Sequence, residues 1–137
     1  MLKLLVAGSR SITDSLIVCK VLDNYGKRPD EIVSGLCNGP DDYGRLWAMA
    51  NGIHVERFPA KWDDLTTPGA IIVKRKDGTK YNKRAGFDRN KLMADYATKA
   101  LIFWDGKSRG TKNMISLMKK AGKEVTIIHC LTYETNY

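Results

Sequence analysis

Short apolar runs alternate with amphipathic helical stretches along most of the 137-residue chain, and that rhythm is the strongest constraint on its fold. Leu2–Ala7 is an apolar run ended by Gly8. Thr13–Tyr25 places Leu16, Ile17, Cys19, Val21 and Leu22 at helical spacing, with Thr13 or Ser11 as N-cap and Gly26 as its stop. Glu31–Ser34 is a brief strand before Gly35. Asp41–Ala50 is a helix expected to turn Leu46, Trp47, Met49 and Ala50 inward, and Ile53–Phe58 alternates as a strand does. Further on, Ala85–Ala97 and Ser108–Ala121 are predicted helices, and Ala100–Trp104 and Glu124–His129 predicted strands. The polar tail Cys130–Tyr137 is left unassigned. Such alternation predicts an α/β fold, a Rossmann-like parallel sheet of about five strands with helices on both faces. In such a sheet a ligand binds beyond the carboxyl ends of the strands, where the strand order reverses.

The rhythm breaks between Pro59 and Arg84, a stretch too long for an ordinary αβ connection. Within it, Ile71–Lys74 and Lys80-Tyr81 flank Asp77-Gly78, a tight-turn signal. The expectation is an inserted basic β-hairpin at about residues 68–84 within one domain spanning residues 1–137. Charge sharpens the point. The chain has a formal net charge of +8, and six cations against Asp77 give the segment from Thr66 to Arg84 +5 of it. A basic balance suits anionic partners, small phosphates or nucleic acid.

No apolar run is long enough to span a membrane, and no secretory signal pattern follows Met1, so the expected location is cytoplasmic with no membrane partner. Cys19, Cys37 and Cys130 are odd in number and lack CxxC spacing, which implies neither a disulfide framework nor a metal site. Cys19 reads as core. No cofactor is expected. His54 and His129 read as structural, because no nucleophile pairs with them by spacing.

Three loops and one helix collect the residues suited to an anion. After the first strand, Gly8 permits close backbone approach, Ser9 offers a hydroxyl and Arg10 a bidentate guanidinium. After the second, Gly35, Asn38 and Gly39 lead into a helix whose first turn holds Pro40 and Asp41; Asp41 either caps that helix or faces a ligand. This loop is neither a Walker loop nor GxGxxG. After the fourth core strand come Asp105, Ser108, Arg109, Gly110 and Thr111, with hydroxyls, cations and a bare glycine at a helix start. On the third helix, Arg89, Asn90 and Met93 share a face or adjoin it, and Arg89 can reach across to the phosphate. Trp47, Trp62 and Trp104 are either packed or available to stack on a base.

Taken in order, Gly8-Ser9-Arg10, Ser34-Gly35 through Gly39-Pro40-Asp41, Arg57 through Trp62, Gly86 with Arg89-Asn90 and Met93, and Trp104-Asp105-Gly106 with Ser108 through Thr111 resemble the SLOG superfamily. That Rossmannoid group includes the LOG nucleotide phosphoribohydrolases and the DprA/Smf proteins. The nearest likeness is to its small YspA/cpYpsA-related branch, common in bacteria and phages. The resemblance implies a nucleotide-type ligand held by the loop residues just named. It does not carry over LOG hydrolysis: where LOG enzymes place the glutamate of Gly-Gly-x-Gly-Thr-x-x-Glu, this chain has Asn113, and an amide cannot exchange a proton as a carboxylate does. The Leu36-Cys37-Asn38 loop and the hairpin also depart from the branch pattern. Three functions stay open: binding of a nucleotide-derived, phosphate-bearing small molecule such as an ADP-ribose-like or cyclic nucleotide, as sensor or sequestering protein; nucleotide N-glycosidase activity using Asp41 or Asp105; and single-stranded nucleic-acid binding, the lesser expectation. A homo-oligomer, dimer or higher, is expected, with Trp47, Met49 and Met93 as candidate apolar surface.

Overall fold

The computed structural model describes residues 1–130; the tail left unassigned above lies, after Cys130, outside the described residues. Among the described residues, seven strands and four helices run in the order β1 (Lys3–Gly8), α1 (Ser15–Asp23), β2 (Glu31–Ser34), α2 (Pro40–Ala50), β3 (His54–Arg57), β4 (Ile72–Lys74), β5 (Lys80–Asn82), α3 (Ala85–Tyr96), β6 (Lys99–Trp104), α4 (Arg109–Lys120) and β7 (Glu124–His129). Five of the strands form one parallel sheet in the order β3-β2-β1-β6-β7. The remaining pair, β4 and β5, is a separate antiparallel hairpin, as expected from Asp77-Gly78. The chain order reverses between β1 and β6, so the crevice for a ligand opens beyond Gly8 and Trp104.

β1 is central, so both of its faces must be apolar. Leu4 and Val6 join Val18, Leu22, Ala48 and Phe103 in the layer under α1 and α2. Leu5 and Ala7 join Met93, Ala94, Met114 and Met118 under α3 and α4. The alternation of a strand's side chains thus divides one apolar run between two cores.

Two helix faces differ from expectation. On α1 the residues that enter the core are Val18 and Leu22, whereas Leu16 and Ile17 are exposed. Cys19 is half-buried rather than core. The N-cap is Asp14, whose carboxylate accepts from the Leu16 amide at 3.0 Å, in place of Thr13 or Ser11. On α2 the buried residues are Pro40, Asp41, Gly44 and Ala48; Leu46 and Met49 face outward, and Trp47 is half-buried with its indole N–H on Asp23. The reason is closeness. A Cβ on Gly44 would sit 2.6 Å from Val6 Cγ1, so α2 lies against β1 through its small residues and large ones are displaced to the flank. Gly44→Val should therefore lower stability by about 1–3 kcal/mol, the usual cost of overpacking, read as a fall in the urea midpoint at unchanged slope.

The hairpin is tied down. Asn82 is 1% exposed. Its side-chain carbonyl accepts from the amides of Ile71 and Arg84, and its amide group donates to Thr67 Oγ. Its backbone N–H donates to the Trp62 carbonyl at 2.7 Å. One side chain thus holds the start of the hairpin, its end and the preceding loop in fixed relation.

Candidate functional site

The loop after β1 begins with a glycine because nothing larger fits. A Cβ on Gly8 would meet the Phe103 carbonyl oxygen at 2.4 Å and Pro40 Cγ at 2.6 Å. Ser9 follows, buried at the switch point. Its hydroxyl lies 3.3 Å from Thr111 Oγ and accepts from the Asp105 amide at 3.2 Å, which joins the β1 and β6 loops to the first turn of α4. Ser108 caps α4, its hydroxyl accepting from the Thr111 amide and hydroxyl.

Above these ends opens a cleft of about 790 Å³, within the usual span of ligand pockets, about 300–1,000 Å³. Gly8, Arg10, Ser11 and Asp105 line its floor beyond the strand ends. Ser108, Gly110 and Thr111 line one wall, and Arg89, Asn90 and Met93 of α3 another. Trp62 and the hairpin residues Arg75, Tyr81 and Lys83 complete it.

Arg89 and Asp41 dominate the electrostatics. Arg89 is only 8% exposed and has no carboxylate within 4 Å among the described residues. It donates from Nη1 to the carbonyls of Gly35 (2.5 Å) and Phe58 (3.4 Å), from Nε to Asn90 Oδ1, and from Nη2 to the Cys37 thiol at 3.4 Å. Asn90 in turn donates to the Gly110 carbonyl and to Asn113. Asp41 is 5% exposed and accepts from the Gly8 amide. Burial pushes its carboxyl up to about 6, against the opposing pull of the Arg89 charge and of amides that include those of Gly8 and Cys37. Gly35 makes room for both groups: a Cβ there would lie 2.9 Å from Arg89 Nη1 and 2.9 Å from Asp41 Oδ2.

Asp105 is the opposite case. Burial works against its charge, but hydrogen bonds from the Ser108 amide, the Ser11 hydroxyl, the Lys107 amide and the Ser9 hydroxyl outweigh it and hold the carboxyl near 2. It is thus a fixed anion that organises the loop. Of the two carboxylates that line the cleft among the described residues, Asp41 is the one that changes protonation near neutral pH.

The structure brings most of the anticipated residues together. Gly8, Arg10, Asp41, Arg89, Asn90, Asp105, Ser108, Gly110 and Thr111 line the cleft, while Ser9 and Gly35 lie behind them as supports. Gly39, at φ +90°, lets the loop pass close to the carbonyls of Ser9 and Ile12, a backbone role rather than a contact surface. Asn38 and Arg109 are exposed and outside the lining. Met93, taken above as candidate outer surface, is core at 1% exposure and borders the cleft. Sequence reasoning missed Ser11, Cys37, Phe87 and Met114 as lining residues, and did not single out Arg75, Tyr81 and Lys83 within the basic hairpin. For the hairpin residues the signal was present, in a basic and aromatic insert that begins at a strand end. For Cys37 it was not, because its position depends on Leu36 taking a left-handed backbone at φ 63°.

The fold defines a Rossmann-like α/β protein with an open cleft at its switch point. The family model described as YspA, cpYpsA-related SLOG family matches residues 2–64, so the resemblance to the SLOG superfamily holds over β1 to the loop beyond β3. Among solved structures the chain is similar to DNA processing protein A (DprA) from Streptococcus pneumoniae, with a TM-score of 0.71 and 20% identity. That likeness covers 98% of this chain and 52% of DprA, so the chain spans about half the length of that protein. No curated protein matches the chain. Among the described residues, no helix is long and apolar enough to cross a membrane.

Proposed function

We propose that the cleft binds a nucleotide-derived small molecule through its phosphate, as a sensor or sequestering site. The observation that carries this is Arg89: a full positive charge, almost wholly buried, bordering an open cleft and bonded to carbonyls and a thiol rather than to a carboxylate. A buried guanidinium is costly unless an anion compensates it. Asp41, with its carboxyl at about 6, is mostly ionised at neutral pH and offsets part of that cost, but it makes no ion pair with Arg89 within 4 Å among the described residues. A phosphate between Arg89 and the opening turn of α4 supplies the missing charge and meets the dipole of that helix. Arg10 lies at the rim, with Nη2 3.9 Å from Cys37 Sγ, and completes the grip.

Mass spectrometry of small molecules released from the purified, denatured protein should identify a phosphorylated nucleotide derivative. Calorimetric titration with AMP and ADP-ribose should then show binding that Arg10→Ala weakens about tenfold or more, the loss of one charge-assisted contact. Arg109→Ala, which alters a cation outside the lining, should bind within about twofold of the parent, as expected where only screened, longer-range charge is lost. Equal losses in both variants would mean that net charge, rather than the cleft, attracts the ligand.

Asp41 favours a second reading, N-glycosidase activity. A buried carboxyl titrating near 6 in a cleft suits general acid–base work. Free base released from AMP by the parent and not by Asp41→Asn would establish it. Single-stranded nucleic acid is a third ligand class, in keeping with the DprA-like fold and with Lys74, Lys76 and Lys80, which are exposed on the hairpin outside the cleft lining. It requires affinity that falls steeply with salt. Self-association is proposed through the outer face of α1 and α2, where Leu16, Leu46 and Met49 are exposed; a monomeric mass by light scattering, with and without ligand, would remove it.

A further inference from the structure

We infer that Trp62 and the hairpin form a base-recognition subsite, so that the cleft selects nucleotides over sugar phosphates of the same charge. The inference rests on the phosphate-binding reading above and adds to it where the base lies and what holds it. Trp62 is half-buried in the cleft wall. It packs on the first turn of α3, where Gly86 leaves it room: a Cβ there would come within 2.9 Å of the indole Cη2. Tyr81 of β5 meets it edge-on, ring centroids 6.3 Å apart at 66°. The Arg75 guanidinium stands over the Tyr81 ring at 4.6 Å. Phe87 also borders the cleft and is 42% exposed, while Lys83 adds a second cation to this wall.

Three aromatic rings and two cations thus gather in the lining of the cleft. The fixed setting matters as much as the residues. The Asn82 bonds hold the hairpin and the Trp62 loop together, so the rings are positioned before a ligand arrives. A ribose phosphate has no use for such a surface. A purine or pyrimidine does, because every base has a face that stacks on an aromatic ring and draws further attraction from an adjacent guanidinium. Of the hairpin's cations, Arg75 and Lys83 line the cleft and Arg84 pairs with Asp88 at 3.3 Å, so the insert's charge is divided between site and surface.

The test is a comparison of AMP with ribose 5-phosphate by calorimetry on the full chain. The parent should bind AMP at least about tenfold more tightly, as one base–aromatic stack provides. In Trp62→Ala that preference should shrink to about twofold or less, with ribose 5-phosphate affinity unchanged; Trp62→Phe, which keeps a ring, should restore most of it. Tyr81→Ala, which leaves Trp62 in place, should reduce the preference partially and serves should Trp62→Ala fail to fold. Equal binding of the two probes by the parent, or a preference that survives in both alanine variants, would overturn the subsite while leaving phosphate binding intact. Failure of the parent to bind either probe would remove the phosphate site and the subsite together.

Discussion

Arg89→Met should lose AMP affinity by about 10- to 150-fold, the equivalent of roughly 1.5–3 kcal/mol for a charge-assisted contact. Methionine retains the length and apolar stem of arginine, so α3 can still pack with Met93 and Ala94 against the sheet. What disappears is the guanidinium, and with it the donors to Gly35 and Phe58. Those carbonyls would be left without that partner, so the ligand-free variant should also be less stable, by about 1–3 kcal/mol. Arg89→Lys separates the two effects. It keeps the charge but gathers its three donors on one atom, without the planar fork that spreads those of Arg89 over three nitrogens, so it should fall between parent and methionine in affinity. Measuring both variants by calorimetry and urea unfolding decides the matter. Were Arg89→Met to bind AMP like the parent, Arg89 would be a structural arginine that merely borders the cleft.

The sheet was legible because the core strands are short apolar or alternating runs and three of the four helices have a recognisable stop. Gly26, the Asn51-Gly52 pair and Gly122 all follow helices, and the crevice then follows from strand order. The helix faces were less legible. Hydrophobic spacing on α1 and α2 suggested Leu16, Leu46 and Met49 for the core, but packing closeness chose otherwise. Gly44 meets Val6, and that contact is long-range information which no local window contains. The strand-end side of the cleft was readable because glycines, hydroxyls and cations cluster in loops at strand ends. The hairpin wall was readable only as an insert. That Tyr81 and Arg75 face the cleft while Lys74, Lys76 and Lys80 do not depends on how Asn82 anchors the strand pair, and a single asparagine in a basic loop gives no sign of this. Arg109 shows the converse: its charge suits an anion, but as the first residue of α4 its side chain lies outside the lining.

The protonation of Asp41 should make the fold's stability fall as pH rises. Its carboxyl has a value near 6 in the folded protein and the ordinary 3.8 when exposed. Between these values the native state binds more protons than the unfolded one, so raising the pH favours unfolding. The loss accumulates from about pH 4 to about pH 6 and is complete above that; a shift of about two pH units corresponds to roughly 3 kcal/mol. Asp41→Asn keeps an oxygen to accept from the Gly8 amide and has no proton to lose. Other carboxylates titrate over the same range, so the informative quantity is the difference in unfolding free energy between variant and parent. That difference should move in favour of asparagine by roughly 2–2.5 kcal/mol from pH 4 to pH 7. A difference that does not change with pH would show that Asp41 titrates normally and would withdraw the support it gives to acid–base chemistry. The same group should report the ligand. A phosphate beside Asp41 disfavours its charge further, so AMP binding near pH 6.5 should take up protons in the parent and fewer in Asp41→Asn. Titrations in buffers of different ionisation enthalpy measure that uptake directly. Uptake that is unchanged by the substitution would place the phosphate away from Asp41.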